Sequence, residues 1–140
     1  MLEVVLDTSV VVAALRSRRG ASFRLLELIG DPRWRNNASV ALVLEYEAAG
    51  KREGSKLGIP PSAVEDIVDM ICASSRHQAI RFRLRPSLSD PNDEFVLELA
   101  FAGSCDYIIT HNVSDFRGAE RFGIRVVTPG QFLRTIGERT

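Results

Sequence analysis

LEVVLDTSVVVAAL, residues 2–15, decides how the chain is built. Leu2 to Leu6 reads as a short buried strand, broken at once by Asp7, Thr8 and Ser9 before Val10, Val11, Ala14 and Leu15 recur at helical spacing. Ser9 is placed to cap that helix. A strand running straight into a helix is the first unit of an alternating α/β chain, and it delivers the Asp7 carboxylate to the strand's carboxyl end. Ligands of parallel sheets gather beyond that edge.

The same alternation continues downstream. Phe23, Leu26 and Ile29 recur at helical spacing until Gly30-Asp31-Pro32 stops them, and Trp34 to Asn37 reads as a second strand. Ser39 starts a helix over VALVLEYEAAGKRE, residues 40–53, that is apolar on almost every side and is expected to be well buried. Its exceptions, Glu45 and Glu47, lie about 160° apart around the helix, so only one of them can face a given cleft. Gly54 to Pro61 is a loop, and Pro61 or Ser62 opens a helix carrying Val64, Ile67, Val68 and Ile71.

Gln78 to Leu84 alternates as a strand with an arginine-bearing face. Asp90-Pro91-Asn92-Asp93 introduces a helix ending at Gly103, and Asp106 to Thr110 is the next strand. A short helix near Phe116 to Phe122, a strand from Ile124 to Val127 and a helix from Pro129 complete the series. Strands separated by helices of this length pair in parallel, so Asp7 and the loop from His111 to Asp115 should share one edge of the sheet.

Composition narrows the classes of function. The 140 residues, 45% hydrophobic and 26% charged, suit one globular domain spanning residues 1–140. No apolar run approaches the roughly 18 to 20 residues that a spanning helix needs, and Met1-Leu2-Glu3 does not begin a secretory signal, so a cytoplasmic protein with no membrane partner is expected. Cys72 and Cys105 are isolated and suggest neither a zinc site nor a disulfide framework. The formal charge is zero, a total that can still conceal a basic face. Arg16, Arg18 and Arg19 beyond the first helix, and Arg81, Arg83 and Arg85 along the alternating strand, could track phosphates or simply form solvated faces.

Four acidic positions remain, each with a local explanation. Asp7 can serve as a turn or cap residue, Asp93 sits at the third position of a helix whose dipole favours a carboxylate, Asp115 can cap the turn that follows, and Glu45 or Glu47 can be solvated. Together they are harder to dismiss, because two unscreened charges about 4 Å apart repel by about 4 kcal/mol at an effective dielectric near 20. A cluster delivered to one edge therefore needs protons or cations. Oxygen donors without His or Cys suit Mg²⁺ or Mn²⁺, and such ions assist phosphodiester hydrolysis. His111 and His77 read as incidental histidines.

VVLDTSV, SVALVLEYEAAG, DPNDEFVLELA and DYIITHNVSDF, in this order over the whole chain, resemble the motifs of PIN-domain ribonucleases of the VapC-like toxin group. The resemblance implies a three-layer α/β/α sandwich around a mainly parallel sheet, Mg²⁺- or Mn²⁺-dependent cleavage of RNA, dimerisation, and a protein antitoxin as partner. It assigns metal binding and catalysis to Asp7, Glu45, Asp93 and Asp115, choosing Glu45 over Glu47, with Thr8 and Ser9 beside the first acid. Asp90, Thr110 and Asn112 are implied in supporting places, Asp90 sharing the work of Asp93 and Asn112 contacting water or phosphate. The other reading is a catalytically silent PIN-like fold that binds RNA or protein. A phosphotransferase with Asp7 as nucleophile would resemble haloacid dehalogenase-like enzymes, but Ser9 stands where a second aspartate is required.

Overall fold

The computed structural model describes residues 1–79 and 91–138. Its elements are β1 (Leu2–Leu6), α1 (Thr8–Arg16), α2 (Ala21–Glu27), β2 (Trp34–Ala38), α3 (Val40–Lys56), α4 (Pro61–Ala73), β3 (Arg76–His77), α5 (Pro91–Ala102), β4 (Tyr107–Ile109), β5 (Arg125–Val127) and α6 (Pro129–Thr135). Two 3₁₀ turns, Val113–Phe116 and Ala119–Phe122, join β4 to β5. The five strands form one parallel sheet in the order β3-β2-β1-β4-β5. The chain walks outward from β1 through β2 to β3, then returns over α5 to the far side of β1. That reversal makes the β1/β4 boundary the switch point where a crevice opens.

Right-handed crossovers require the outward and returning helices to lie on opposite faces. The packing agrees: α5 lies against β1, β2 and β4, whereas α1 packs on α2 and α3, α3 on α4, and α6 on α2. The result is the expected three-layer α/β/α arrangement. Val4, Val5 and Leu6 of β1 and Ile108 and Ile109 of β4 are completely buried between the layers. Phe132 of α6 meets Trp34 and Tyr107 edge-on, at ring-centroid distances of 5.7 and 5.5 Å. At the α3–α4 crossing, a Cβ added to Gly50 would come within 2.7 Å of a Val64 methyl, so the approach requires glycine.

Several local expectations change. Ser9 does not cap α1; Asp7 occupies the N-cap position, and Ser9 lies inside the first turn. Ser39 does cap α3, its Oγ accepting from the Leu42 amide at 3.3 Å. The helix is not buried all round. Only a stripe through Leu42, Tyr46, Ala49 and Gly50 faces inward, leaving Val40 and Leu44 79% and 59% exposed. The third strand begins earlier than the alternation suggested, because Arg76 is anchored to the Asn37 side chain (2.8 Å) and to the Gly103 carbonyl. Gln78 adds one backbone bond to the Ala38 carbonyl. The rest of that predicted strand, with Arg81, Arg83 and Arg85, lies outside the described residues, as does Asp90. Among the described residues no helix is long and apolar enough to cross a membrane.

Two buried asparagines shape the sheet near the crevice. The β1–β2 register runs from Leu2↔Trp34 to Val4↔Asn36. Beyond it the Leu6 amide donates to Asn36 Oδ1 (3.0 Å), a side chain standing where a ladder partner would be. Asn37 Nδ2 donates to the Val4 carbonyl (3.1 Å) and to Glu3 Oε1 (3.0 Å). At the opposite edge, Arg33 binds both oxygens of Asp31, Glu138 Oε1 (3.0 Å) and the Ile136 carbonyl (2.9 Å), while its own carbonyl accepts from the Leu2 amide (3.0 Å). These hydrogen bonds from Arg33 hold the Asp31 carboxyl down to about 2.

Asn36→Ala should therefore leave the buried Leu6 amide without a partner and cost about 1–3 kcal/mol, read as a lower urea midpoint at unchanged slope. An unchanged midpoint would refute the account. Asp31 is ionised in the folded chain at pH values where the unfolded chain has begun to bind protons, so its contribution is present above its ordinary value and fades as pH falls toward 2. Asp31→Asn should lower Tm at pH 7 and change it progressively less as pH falls through 2.

Candidate functional site

Asp7 sits where β1 hands over to α1 and is 93% buried, with 7% of its surface exposed. Although it occupies the N-cap position, its carboxylate makes no capping bond to the helix amides. Instead Oδ2 accepts from the hydroxyls of Ser9 (2.7 Å) and Thr110 (2.7 Å). Those hydroxyls are fixed in turn, the His111 amide donating to Ser9 Oγ (3.1 Å) and the Asn112 amide to Thr110 Oγ1 (2.9 Å). Among the described residues Oδ1 accepts no hydrogen bond and the carboxylate enters no ion pair. The cap explanation for Asp7 is thus set aside by its geometry. A buried carboxylate left in that condition is costly unless a cation completes it.

A cleft of about 240 Å³ opens in front of Asp7. Glu45 from α3, Asp93 from the first turn of α5, and Asn112 and Asp115 from the loop after β4 line it, together with Thr8, Ser9, Ala41, Leu42, Phe95 and Val96. All four acids named from the sequence meet there. Glu47 does not; it turns away and pairs with Lys51 at 2.7 Å. Thr110 acts from behind, through Asp7. Asp115 is exposed at the mouth, inside the 3₁₀ turn rather than at its cap.

The donor set fits a hard divalent cation. Every candidate ligand is an oxygen, and among the described residues lining the cleft there is no Lys, Arg or His. Among the described residues no three acidic, His or Cys side chains are already gathered closely enough to hold an ion. The carboxylates stand around an open space.

Sequence reasoning missed three contributions. Tyr46, fully buried, donates its hydroxyl to the Leu6 carbonyl, immediately before Asp7. Asn36 serves the amide of the same Leu6. His111, read as incidental, bonds the buried Ser22 hydroxyl through Nε2 (2.7 Å), tying the loop after β4 to α2. A Tyr one residue from the chosen glutamate and adjacent asparagines within a strand were the available signals.

Comparison with known proteins gives a family and a fold. The family model described as PIN domain matches residues 3–114. The structure is similar to a chain from the crystal structure of VapBC2 from Rickettsia felis bound to a DNA fragment from their promoter, with a TM-score of 0.61 and 13% identity. The superposition covers 91% of this chain and 98% of that one, and at such low identity it shows the fold alone. No curated protein sequence matches significantly.

If the cleft takes a divalent cation, Glu45→Gln should weaken Mn²⁺ binding and Glu47→Gln should not. A tenfold loss of affinity removes about 1.4 kcal/mol of Mn²⁺-dependent stabilisation, readable as a smaller rise in Tm on titration. Equal effects, or a larger one at Glu47, would mean that the other face of α3 is the functional one.

Proposed function

Because the chain belongs to the PIN-domain family, we propose that it is an Mg²⁺- or Mn²⁺-dependent endoribonuclease that hydrolyses RNA phosphodiester bonds at the Asp7 cleft. The observation that carries this reading is the meeting of four carboxylates, one of them buried and with no cationic partner among the described residues, at the switch point of a parallel sheet. Asp7, Glu45, Asp93 and Asp115 would hold the ion, and Asn112 would contact water or phosphate. Bound there, a divalent ion would activate a water and neutralise charge on the phosphate.

The remaining work falls to the chain itself. Ser9 and Thr110 hold Asp7 Oδ2 and so leave Oδ1 for the cleft. Thr8 shares that first turn. Leu42, Phe95 and Val96 supply apolar wall, which strengthens electrostatic interactions beside it. In this reading Asp90 supports Asp93 from outside the described residues.

The toxin role, a protein antitoxin as partner and a homodimer are part of the same proposal, as is a cytoplasmic location. They are supported by the motif resemblance and by the likeness to a chain of the VapBC2 structure.

Purified wild type should cleave a mixed-sequence single-stranded RNA with Mn²⁺ or Mg²⁺ and not with EDTA. Asp7→Asn should lose more than about 100-fold of that activity while keeping its circular dichroism. Cleavage retained by Asp7→Asn would remove Asp7 from the mechanism. Wild type that neither cuts RNA nor gains Tm with Mn²⁺ would favour the catalytically silent binding fold.

A further inference from the structure

We propose that Tyr46 is a positioning residue of this cleft, its hydroxyl fixing the Leu6–Asp7 peptide against α3 and so setting the separation of the Asp7 and Glu45 carboxylates. The inference rests on the reading of the cleft as a metal centre. It concerns a residue that touches neither ion nor substrate.

Leu6 and Asp7 share one planar peptide unit. Its N–H end, on Asp7, donates to the Ile109 carbonyl of β4 at 2.9 Å. Its C=O end, on Leu6, points the opposite way, toward the side where the β1–β2 register has already finished. No strand supplies a donor there among the described residues; Tyr46 does. Gripped at both ends, the plane cannot tilt without breaking one bond, and the direction of the Asp7 side chain follows from the plane.

The other end of the linkage is α3. Glu45 and Tyr46 are successive, about 100° apart around the helix, so one side chain enters the core while the other faces the cleft. The turn that carries the second acid is thereby bolted to the peptide that carries the first. The Asn36 side chain holds the Leu6 amide, so both backbone groups of Leu6 are served by side chains.

A tyrosine kept only for packing would satisfy a carbonyl and contribute to stability, but would have no bearing on an ion. Mn²⁺ titration of wild type, Tyr46→Phe and Phe132→Leu separates the two roles, with free Mn²⁺ followed by electron paramagnetic resonance well below Tm. Tyr46→Phe keeps the ring and loses the hydroxyl; Phe132→Leu is a core change between Trp34 and Tyr107, away from the cleft. Both should melt lower than wild type. Tyr46→Phe should bind Mn²⁺ roughly tenfold more weakly, whereas Phe132→Leu should bind as wild type does. Wild-type affinity in Tyr46→Phe overturns the proposal and leaves the metal centre standing. Should that variant not fold, Tyr46→Met, which also lacks the hydroxyl, decides by the same reading: weaker Mn²⁺ binding supports the linkage and unchanged binding overturns it. Absence of Mn²⁺ binding by wild type sinks the metal centre itself and this inference with it.

Discussion

One peptide plane, between Leu6 and Asp7, is where the sheet ends and the cleft begins. Its amide is held by Ile109 and its carbonyl by Tyr46, so the last backbone group of β1 is fixed by the neighbouring strand on one side and by α3 on the other. A parallel strand must part from its neighbours at a switch point, and the parting leaves polar backbone buried in a dry core. Here side chains make up the deficit. Asn36 serves the Leu6 amide and Tyr46 the Leu6 carbonyl, so the crevice opens without orphaned groups on that residue.

The cleft itself is the opposite case. Asp7 is buried with two hydroxyl donors on one oxygen, and three further acids face the same space. Only Asp7 among them is buried, and no lysine or arginine among the described residues lines the cleft. Around it the packing is conventional: Val4, Val5 and Leu6 of β1 and Ile108 and Ile109 of β4 are wholly buried, and Phe132 packs α6 against Trp34 and Tyr107.

Much of this was legible from residue order. The strand–helix alternation announced a parallel sheet, Ser39 and Pro61 marked helix starts, and the apolar run before Asp7 predicted which edge its carboxylate would reach. The acids at positions 7, 45, 93 and 115 do meet in one cleft. What escaped was set by contacts between segments distant in sequence. Ser9 resembles a cap in isolation, but a carboxylate two residues earlier and Thr110 from another strand recruit its hydroxyl. The apolar Val40 and Leu44 read as core, yet α3 packs through one stripe only. Asn36 and Asn37 are poor strand formers locally, and only the divergence of β1 from β2 explains why two amides are buried there. The third strand starts at Arg76 because partners 39 and 27 residues away hold it.

Arg33 brings the two ends of the fold together. Its carbonyl takes the Leu2 amide and its guanidinium takes the Ile136 carbonyl and Glu138, so one residue ties the start of β1 to the chain just beyond α6. This junction lies at the amino edge of the sheet, and the five residues of β1 put roughly 16 Å between it and Asp7. Leu2 and Glu138 thus both stand at the edge away from the cleft. The same proximity suits the fold to circular permutation, since a short linker could join the ends and new termini could be opened in an exposed turn such as Leu57–Gly58.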